Sequence, residues 1–215
     1  MAFIMTSFYS RLYLVVMLNA SVFIASAQTP ESSSPSTLQL GIGTAGMGTG
    51  DYVLLKAQVE YGRLFKRHLS TGTRLALAGG NRENIATVYN SQRPGGNGVN
   101  VPYALSYQTA NLEQEFYIYP FGNDKEIRFF AGGGGYVGYS TRYGAPANHL
   151  NFTTNEATLD LDHEEGWHAG YMFSINLDLA LGSEQNWRVG GKASFQNDTF
   201  ANSLASLQFN VGRRF

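Results

Sequence analysis

The sequence predicts an all-β protein, an eight-stranded antiparallel up-and-down transmembrane β-barrel. Apolar and polar residues alternate in eight separate segments, and a period of two is the signature of a strand with two different faces. The segments run to about ten residues or more, which is the length that a tilted strand needs to cross a bilayer. The last segment continues to Phe215, although the ends of soluble chains usually fray.

The first four segments show the alternation with different regularity. They are residues 38–47, 52–65, 69–79 and about 104–119. In the second segment, Leu55 belongs to the apolar set of alternate residues, and Lys56 belongs to the set on the opposite face. The fourth segment is less regular, because Gln108 and Gln114 fall on its apolar side.

The last four segments include the clearest alternation, in residues 167–179. They are residues 127–140, 167–179, 187–195 and 206–215. In residues 167–179 the apolar set runs from Trp167 to Leu179 without a break, and the residues between them run from His168 to Asp178. Such a segment is expected to turn one face to an apolar solvent and the other to a polar interior.

Aromatic residues and the lengths of the connections favour lipid as that apolar solvent. Aromatic residues begin or end the apolar faces at Tyr61, Phe116, Tyr139, Trp167, Trp187, Phe195 and Phe215. The connections near Lys66, Asn123 and Ser183 are short, whereas those over residues 81–103 and 143–165 are long. Short turns on one side and long loops on the other are typical of outer-membrane barrels. We therefore expect both termini on the short-turn side and the last strand paired with the first.

The N-terminal segment is predicted to be a signal peptide that is cleaved after residue 27. Residues 1–27 contain one charged residue, Arg11, then an apolar run and a small-residue cleavage pattern. Residues 28–37 form a Pro/Ser-rich linker, and residues 38–215 form the barrel domain. The whole chain has 15 Lys and Arg against 16 Asp and Glu and no Cys. This balance argues against nucleic-acid binding, and an exported domain without disulfides needs another constraint, such as closure of the sheet.

With these features the chain resembles the small OmpA/OmpX-type, porin-like barrels of the outer membrane. The resemblance implies an outer-membrane location in a Gram-negative-type cell envelope, with membrane lipid and the barrel-insertion machinery as partners. In that family the machinery reads the C-terminal strand, and the matching residues here are Leu207, Phe209, Val211 and Phe215. Arg213 departs from the pattern, because that position is usually aromatic or apolar.

Charged residues on the polar faces are predicted to fill the interior, since an eight-stranded barrel is only wide enough to hold side chains. The predicted interior network comprises Lys56, Glu60, Arg74, Glu113, Glu115, Arg128, Asp178, Arg188 and Lys192, and Arg214 is a further inward candidate. Both signs of charge are present, which favours a salt-bridged plug. A narrow solute or ion channel is the alternative, and it would need a wet path past Arg74, Glu113 and Arg128.

Two other motifs are weaker functional candidates. The glycine-rich residues 131–139 lack the Gly-Lys-Ser/Thr of a phosphate loop, so we interpret them as room for aromatic side chains such as Tyr136. The acidic residues 159–168 have carboxylates that suit calcium but match no EF-hand spacing. We predict no metal and no cofactor, and the cation question in the acidic segment stays open.

The function predicted from these observations is non-enzymatic. The long loops 81–103 and 143–165 would bind an external ligand or partner, or help to maintain the envelope. A lipid A-modifying barrel enzyme is one alternative, with His168 as the strand histidine and Ser194 as a neighbour. A soluble barrel with its apolar faces turned inward is another.

Overall fold

A computed structural model of the chain describes most of the predicted barrel. The described residues are 35–48, 52–88, 99–146, 151–153, 156–158, 161–182, 185–200 and 202–215. The predicted signal peptide and most of the predicted linker lie outside these residues.

The described residues form ten strands, eight of which close into one antiparallel barrel. The strands are β1 (Ser36–Met47), β2 (Tyr52–Lys66), β3 (Leu69–Val88), β4 (Val99–Ile118), β5 (Ile127–Pro146), β6 (Asn151–Thr153), β7 (Glu156–Thr158), β8 (Leu161–Leu181), β9 (Trp187–Asp198) and β10 (Ser203–Arg214). Around the barrel the order is β1-β10-β9-β8-β5-β4-β3-β2, and β6 and β7 form a separate two-stranded sheet. Among the described residues, no helix is long and apolar enough to span a membrane. The predicted eight-stranded barrel is confirmed.

The barrel closes between its first and last strands, as predicted. The β1–β10 ladder runs from Thr37 opposite Arg214 to Met47 opposite Leu204. Ser36 and Phe215 exchange two backbone hydrogen bonds, of 3.3 and 2.9 Å. β1 therefore begins inside the predicted linker 28–37, because the backbone of Ser36 finds its partners at the chain end.

The two faces of the strands differ completely in exposure. On β8, Ile175 and Leu177 are 56% and 48% exposed, whereas Asn176 and Asp178 are 3% and 2% exposed. The same contrast of apolar outer residues and polar inner residues runs around the barrel. A soluble barrel would need the opposite arrangement, so that alternative is wrong; an apolar outer belt with a polar interior is the arrangement of a transmembrane barrel.

The strands extend farther at one end of the barrel than at the other. The start of β1, the end of β10 and the turn residues 67–68, 119–126, 182 and 185–186 lie at one end, here called the terminal end. At the opposite end, here called the hairpin end, β3 and β4 stay paired as far as Val88 opposite Val99. By contrast, the β2–β3 ladder already stops at Leu55 opposite Gly79.

Much of each predicted long loop is therefore strand. Residues 81–88 and 99–103 belong to the β3–β4 hairpin, and β5 and β8 continue to Pro146 opposite Leu161. The predicted loop boundaries 81–103 and 143–165 were wrong because these strand ends lack the apolar alternation from which the barrel strands were predicted. Backbone ladders hold them without an apolar face.

These extensions form what we call the projecting wall: residues 80–88 of β3, 99–107 of β4, 141–146 of β5 and 161–166 of β8. Its base is marked by Tyr139 and Trp167, whose rings meet edge to face at 5.6 Å. The next outward residues, Thr141 and Glu165, are polar and pair directly across the strands. An aromatic row followed by polar residues marks the edge of the lipid-facing belt.

Apolar side chains enclose the middle of the interior on both sides. Toward the hairpin end lie Ala45, Met47, Leu54, Ala78, Tyr107 and Leu204, all buried. Toward the terminal end lie Leu64, Tyr117, Tyr119 and Phe130. The charged residues between them consequently sit in a region that is shielded from water at both ends.

The glycine-rich segment 131–139 gives room to large inward side chains. A Cβ on Gly132 would approach the ring of Tyr117 to 2.6 Å. A Cβ on Gly170, on the neighbouring strand, would approach the ring of Tyr136 to 2.8 Å. Only glycine leaves these rings their space, because real Cβ atoms do not come this close to a ring carbon.

Candidate functional site

Arg74 is the centre of a buried network that we call the central layer. The layer consists of Lys56, Glu60, Arg74, Glu113, Glu115 and Lys192. Arg74 Nε lies 3.1 Å from Glu60 Oε2, and its Nη1 lies 3.2 Å from Glu113 Oε2. Its Nη2 donates to Glu115 Oε2. One guanidinium group thus contacts all three carboxylates of the layer.

Other bonds of the central layer cross the lumen. β9 is three strands away from β4 in one direction and three from β2 in the other. Lys192 Nζ on β9 nevertheless donates to Glu115 Oε2 on β4 at 2.7 Å. Gln196 Nε2 on β9 donates to Glu113 Oε1 at 2.6 Å, and Lys56 Nζ on β2 donates to Gln196 Oε1 at 2.9 Å. These bonds tie opposite walls of the barrel together.

The charges of the central layer balance, with three cations and three carboxylates. All six side chains are at most 6% exposed. Taking ions out of water costs several kcal/mol each unless they are paired and hydrogen-bonded. Here Ser174 Oγ donates to Glu115, and Tyr117 Oη lies 2.9 Å from Glu60 Oε1. Each buried charge of the layer therefore has an opposite charge beside it, although Arg74 Nε and Glu113 Oε2 have ion-pair contacts without a hydrogen bond.

Sequence reasoning missed the neutral members of this network. Gln196 and Tyr117 join the charged groups, and Gln58 Nε2 donates to Asn210 Oδ1 at 3.3 Å. Their inward position follows from the same alternation as that of Lys192, so the signal was present. Attention to charge alone left them out.

A second charged group, the mouth cluster, lies nearer the terminal end. It consists of Arg128, Asp178, Arg188 and Arg214, which are inward neighbours on β5, β8, β9 and β10. Arg128 Nη2 donates to Asp178 Oδ2 at 2.9 Å, and Arg188 Nη1 lies 3.5 Å from the carbonyl of Lys125. The expected layer of Arg74, Glu113 and Arg128 is therefore wrong, because Arg128 pairs with Asp178 across β5 and β8.

His168 lies inside the barrel near the hairpin end. Its Nδ1 is 3.2 Å from Asp198 Oδ2, and its Nε2 is 3.2 Å from Thr109 Oγ1. Ser194, which the enzyme alternative would pair with this histidine, instead bonds Ser206 at 2.6 Å. The predicted Ser/His neighbourhood was wrong because successive inward positions on β9 face different layers of the lumen.

Asp198, His168 and Thr109 form a chain of polar contacts inside the barrel, here called the strut. The hydroxyl of Thr109 has a shorter bond to Asn111 Oδ1, of 2.7 Å, so its proton is directed away from the imidazole. Asp198 Oδ1 also accepts 2.9 Å bonds from the backbone amides of Phe200 and Asn202. The strut therefore connects the barrel interior to the β9–β10 turn. A nucleophile would need the hydroxyl proton to point at the base.

Polar residues on the outer face are also accommodated. Gln114, which breaks the alternation, accepts a 2.7 Å bond from Thr73 Oγ1 and donates to Thr71 Oγ1. A polar group in hydrocarbon is costly unless it is hydrogen-bonded. The three residues satisfy one another on neighbouring strands.

The residues of the predicted C-terminal insertion signal all face outward on β10 or follow it. Leu207, Phe209, Val211 and Phe215 are 66%, 54%, 37% and 65% exposed. Arg213 shares this face, and its guanidinium lies over the rings of Trp187 and Phe215 at 5.8 and 5.4 Å. These two cation–π contacts explain how an arginine is accommodated at an aromatic position.

The acidic segment 159–168 reaches the described residues only in part. Asp162, Glu164 and Glu165 are exposed on the projecting wall. Within the part of the chain that the structure describes, no three His, Cys, Asp or Glu side chains are grouped to hold a metal ion. The exposed carboxylates instead give this part of the wall a negative surface.

Comparisons with known proteins agree with this geometry at the level of fold. No family model and no curated protein matches the sequence. The attachment invasion locus protein Ail of Yersinia pestis, solved with the heparin analogue sucrose octasulfate, has 9% identity and a TM-score of 0.51 over 86% of this chain and 100% of that chain. Neisserial surface protein A has 8% identity and a TM-score of 0.53 over 84% of this chain and 96% of that chain. The chain therefore has the fold of the small eight-stranded outer-membrane β-barrels.

Proposed function

We propose that this chain is a non-enzymatic protein of the outer membrane that binds a partner outside the cell through its projecting wall. The observation that carries the proposal is the continuation of four adjacent strands beyond the aromatic row at Tyr139 and Trp167. In the orientation that we propose for the barrel in the outer membrane, the terminal end faces the periplasm and the hairpin end faces the outside of the cell. Strands beyond the lipid belt add nothing to spanning the membrane, which favours a role in recognition.

The filled interior supports a role outside the lumen. The central layer is bonded across the barrel and lies between two apolar groups. Open aqueous channels belong to barrels of about 16–18 strands. A narrow channel would have to break several buried ion pairs for every solute that passes.

The charge of the wall indicates the chemistry of the partner. Residues 141–165 contain one arginine and five acidic residues, and Asp162, Glu164 and Glu165 are exposed. We expect a partner with a basic surface, since opposite charges steer association. The sulfated ligand in the Ail structure is a polyanion, so this hairpin would repel it.

The wall also offers backbone groups for pairing. Among the described residues, β8 has no paired strand on its β9 side before Gly170. Bonds between Ala169 and Thr199 and the ring of Phe200 beside Gly166 cover only the base of this edge. Open strand edges accept an added strand, and charged residues on them restrict which chain can pair. Asp162 and Glu164 on this edge would select for a basic segment.

The location can be tested by cell fractionation, with gel mobility measured before and after boiling. Recovery in the outer membrane with a heat-modifiable band would support a closed, lipid-embedded barrel. Recovery in the soluble periplasm would contradict the proposal.

The binding function can be tested with the full chain in phosphatidylcholine vesicles. Labelled polylysine and labelled heparin serve as probes of opposite charge. We expect polylysine to bind several-fold more strongly than heparin, and the triple variant Asp162→Asn, Glu164→Gln, Glu165→Gln to lose that preference. A matched control, Asp124→Asn with Glu126→Gln, neutralises acids at the opposite end. Equal binding of polylysine by the triple variant and the wild type would overturn the proposal for the wall.

We also propose that the insertion machinery reads the outward face of β10. Phe215→Ala is expected to lower the fraction of protein that reaches the heat-modifiable, membrane-embedded form. Phe200→Ala, an exposed aromatic at the β9–β10 turn, is the matched control. Unchanged assembly of Phe215→Ala would contradict this role.

A further inference from the structure

The mouth cluster contains more positively charged side chains than nearby carboxylates to neutralise them. The inward residues Arg128, Arg188 and Arg214 are neighbours in the sheet. Arg128 lies opposite Asp178, Asp178 lies opposite Gly190, two residues from Arg188, and Arg188 lies opposite Gly212, two residues from Arg214. Asp178 is the carboxylate that pairs with one of them, at 2.9 Å from Arg128 Nη2. Asp178 also accepts a 3.4 Å bond from Gln39 Nε2. The cluster therefore has an excess of two positive charges.

The nearby acidic groups are engaged elsewhere. Glu60 contacts Arg74 at 3.1 Å in the central layer. In the turn at the terminal end, Asp124 pairs with Arg67 at 3.3 Å, and Glu126 lies 3.5 Å from the amide of Gln185. None of these contacts neutralises Arg188 or Arg214.

Buried donors in the cluster also lack acceptors. Arg128 and Arg188 are each 2% exposed. Among the described residues, Nε and Nη1 of Arg128 and Nε of Arg188 have no hydrogen-bond partner. Arg128 lies over the rings of Tyr119 and Phe130, at 5.8 and 6.0 Å, which offsets part of its charge but accepts none of these N–H groups. Buried polar atoms in proteins are nearly always hydrogen-bonded, so such a gap calls for a bound group.

We propose that the mouth cluster is a binding site for a phosphate-type oxyanion. Guanidinium groups match the oxygen geometry of phosphate and form two parallel hydrogen bonds to it. A water molecule would accept the same bonds but would leave the excess charge in place. Arg214 is half-buried at the end of β10, so the site can be reached from solution at the terminal end.

Two sources offer this chemistry: free phosphate and the phosphodiester headgroup of an anionic lipid. The terminal end borders the membrane surface, where Trp187 and Phe215 form part of the outer belt. A headgroup would have to reach around this rim to the lumen, whereas free phosphate would enter directly. The site chemistry is the same in both cases.

The test uses the folded full chain in a maltoside detergent, which contains no phosphate. The midpoint of thermal unfolding is followed by gel mobility in phosphate and in chloride at equal ionic strength. A ligand that binds only the folded state raises that midpoint in a saturable way. We expect phosphate to raise the midpoint of the wild type, and Arg188→Gln to weaken the apparent phosphate affinity about tenfold, since it removes one charge-assisted hydrogen bond.

Two further variants make the outcome specific. Arg67→Gln removes an exposed arginine at the same end and is expected to respond to phosphate like the wild type. Arg214→Gln, at the open edge of the site, is expected to weaken the response as Arg188→Gln does, and it keeps the test valid if Arg188→Gln does not fold.

Vesicles of phosphatidylcholine, with and without phosphatidylglycerol, separate the two sources. Stabilisation by phosphatidylglycerol that depends on Arg188 and is not increased by phosphate would assign the site to a headgroup. A phosphate response in detergent that phosphatidylglycerol does not replace would assign it to free anion. The proposal is overturned if neither phosphate nor phosphatidylglycerol stabilises the wild type, or if Arg188→Gln and Arg214→Gln respond as the wild type does.

Discussion

The central layer and the mouth cluster use the same residue types but differ in charge balance. The central layer has three cations against three carboxylates and is enclosed between two apolar groups. The mouth cluster has three arginines against Asp178 and opens toward solvent at Arg214. The difference indicates that the central layer balances its charge internally, whereas the mouth cluster leaves a positive excess. Because the mouth cluster borders solution at Arg214, an anion from outside the protein can balance that excess.

The same substitution in the two groups tests this comparison most directly. Arg74→Gln removes the cation that contacts Glu60, Glu113 and Glu115. Breaking a buried network in this way costs about 3–5 kcal/mol, because it leaves uncompensated charge. We expect a correspondingly large fall in the free energy of unfolding, measured by urea titration in detergent. A loss below about 1 kcal/mol would mean that water enters the layer freely.

Crowding of the central layer should have an intermediate effect. Gly132→Ala places a methyl group against the ring of Tyr117, next to Glu115. Overpacking of a filled interior typically costs about 1–3 kcal/mol. The matched control is Gly135→Ala in the same glycine run, where the nearest atom to the new Cβ is the carbonyl of Gly170 at 3.4 Å. Equal losses for the two variants in urea titration would show that backbone freedom, and not space for Tyr117, is what glycine provides.

Arg188→Gln should be far less costly than Arg74→Gln. In phosphate-free buffer it removes a side chain whose one described hydrogen bond is a 3.5 Å contact to the carbonyl of Lys125. It also removes like-charge repulsion with Arg128 and Arg214. We expect a change in unfolding free energy of about 1 kcal/mol, since the loss of this long hydrogen bond is offset by the relief of repulsion. A loss as large as that of Arg74→Gln would remove the distinction between the two groups.

The sequence was enough to predict which residues face inward, because alternation leaves each strand residue only two choices. Asn176 and Leu177 are neighbours in sequence, yet they are 3% and 48% exposed. The number of strands and the closure of β1 on β10 followed from the same pattern. These features depend on local periodicity, which the sequence displays directly.

Partners across the lumen could not be predicted in this way. Lys192 bonds Glu115, which is 77 residues away in sequence, because the stagger of the closed sheet brings them to the same level. Alternation tells which face of the sheet a residue occupies, but not its position along the barrel axis. For this reason Arg128 was grouped with Arg74, although it belongs to the mouth cluster. The projecting wall was missed for a related reason: outside the lipid its strands need no apolar face to be stable.

The ion pair of Asp124 with Arg67 provides the smallest expected effect. It joins the 67–68 and 119–126 turns at the terminal end, at 3.3 Å, with both side chains more than half exposed. The pKa of Asp124 is lowered, chiefly by a hydrogen bond from its own backbone amide and also by Arg67. A lowered pKa in the folded state means that any stabilisation is present above the unfolded-state pKa and is lost as the pH falls through the folded-state pKa. Exposed pairs contribute little because solvent screens them. We therefore expect Asp124→Asn to unfold at the same urea concentration as the wild type at neutral pH and in acid. A shift at neutral pH as large as that of Gly132→Ala would mean that this turn pair, and not only the enclosed layer, holds the barrel together.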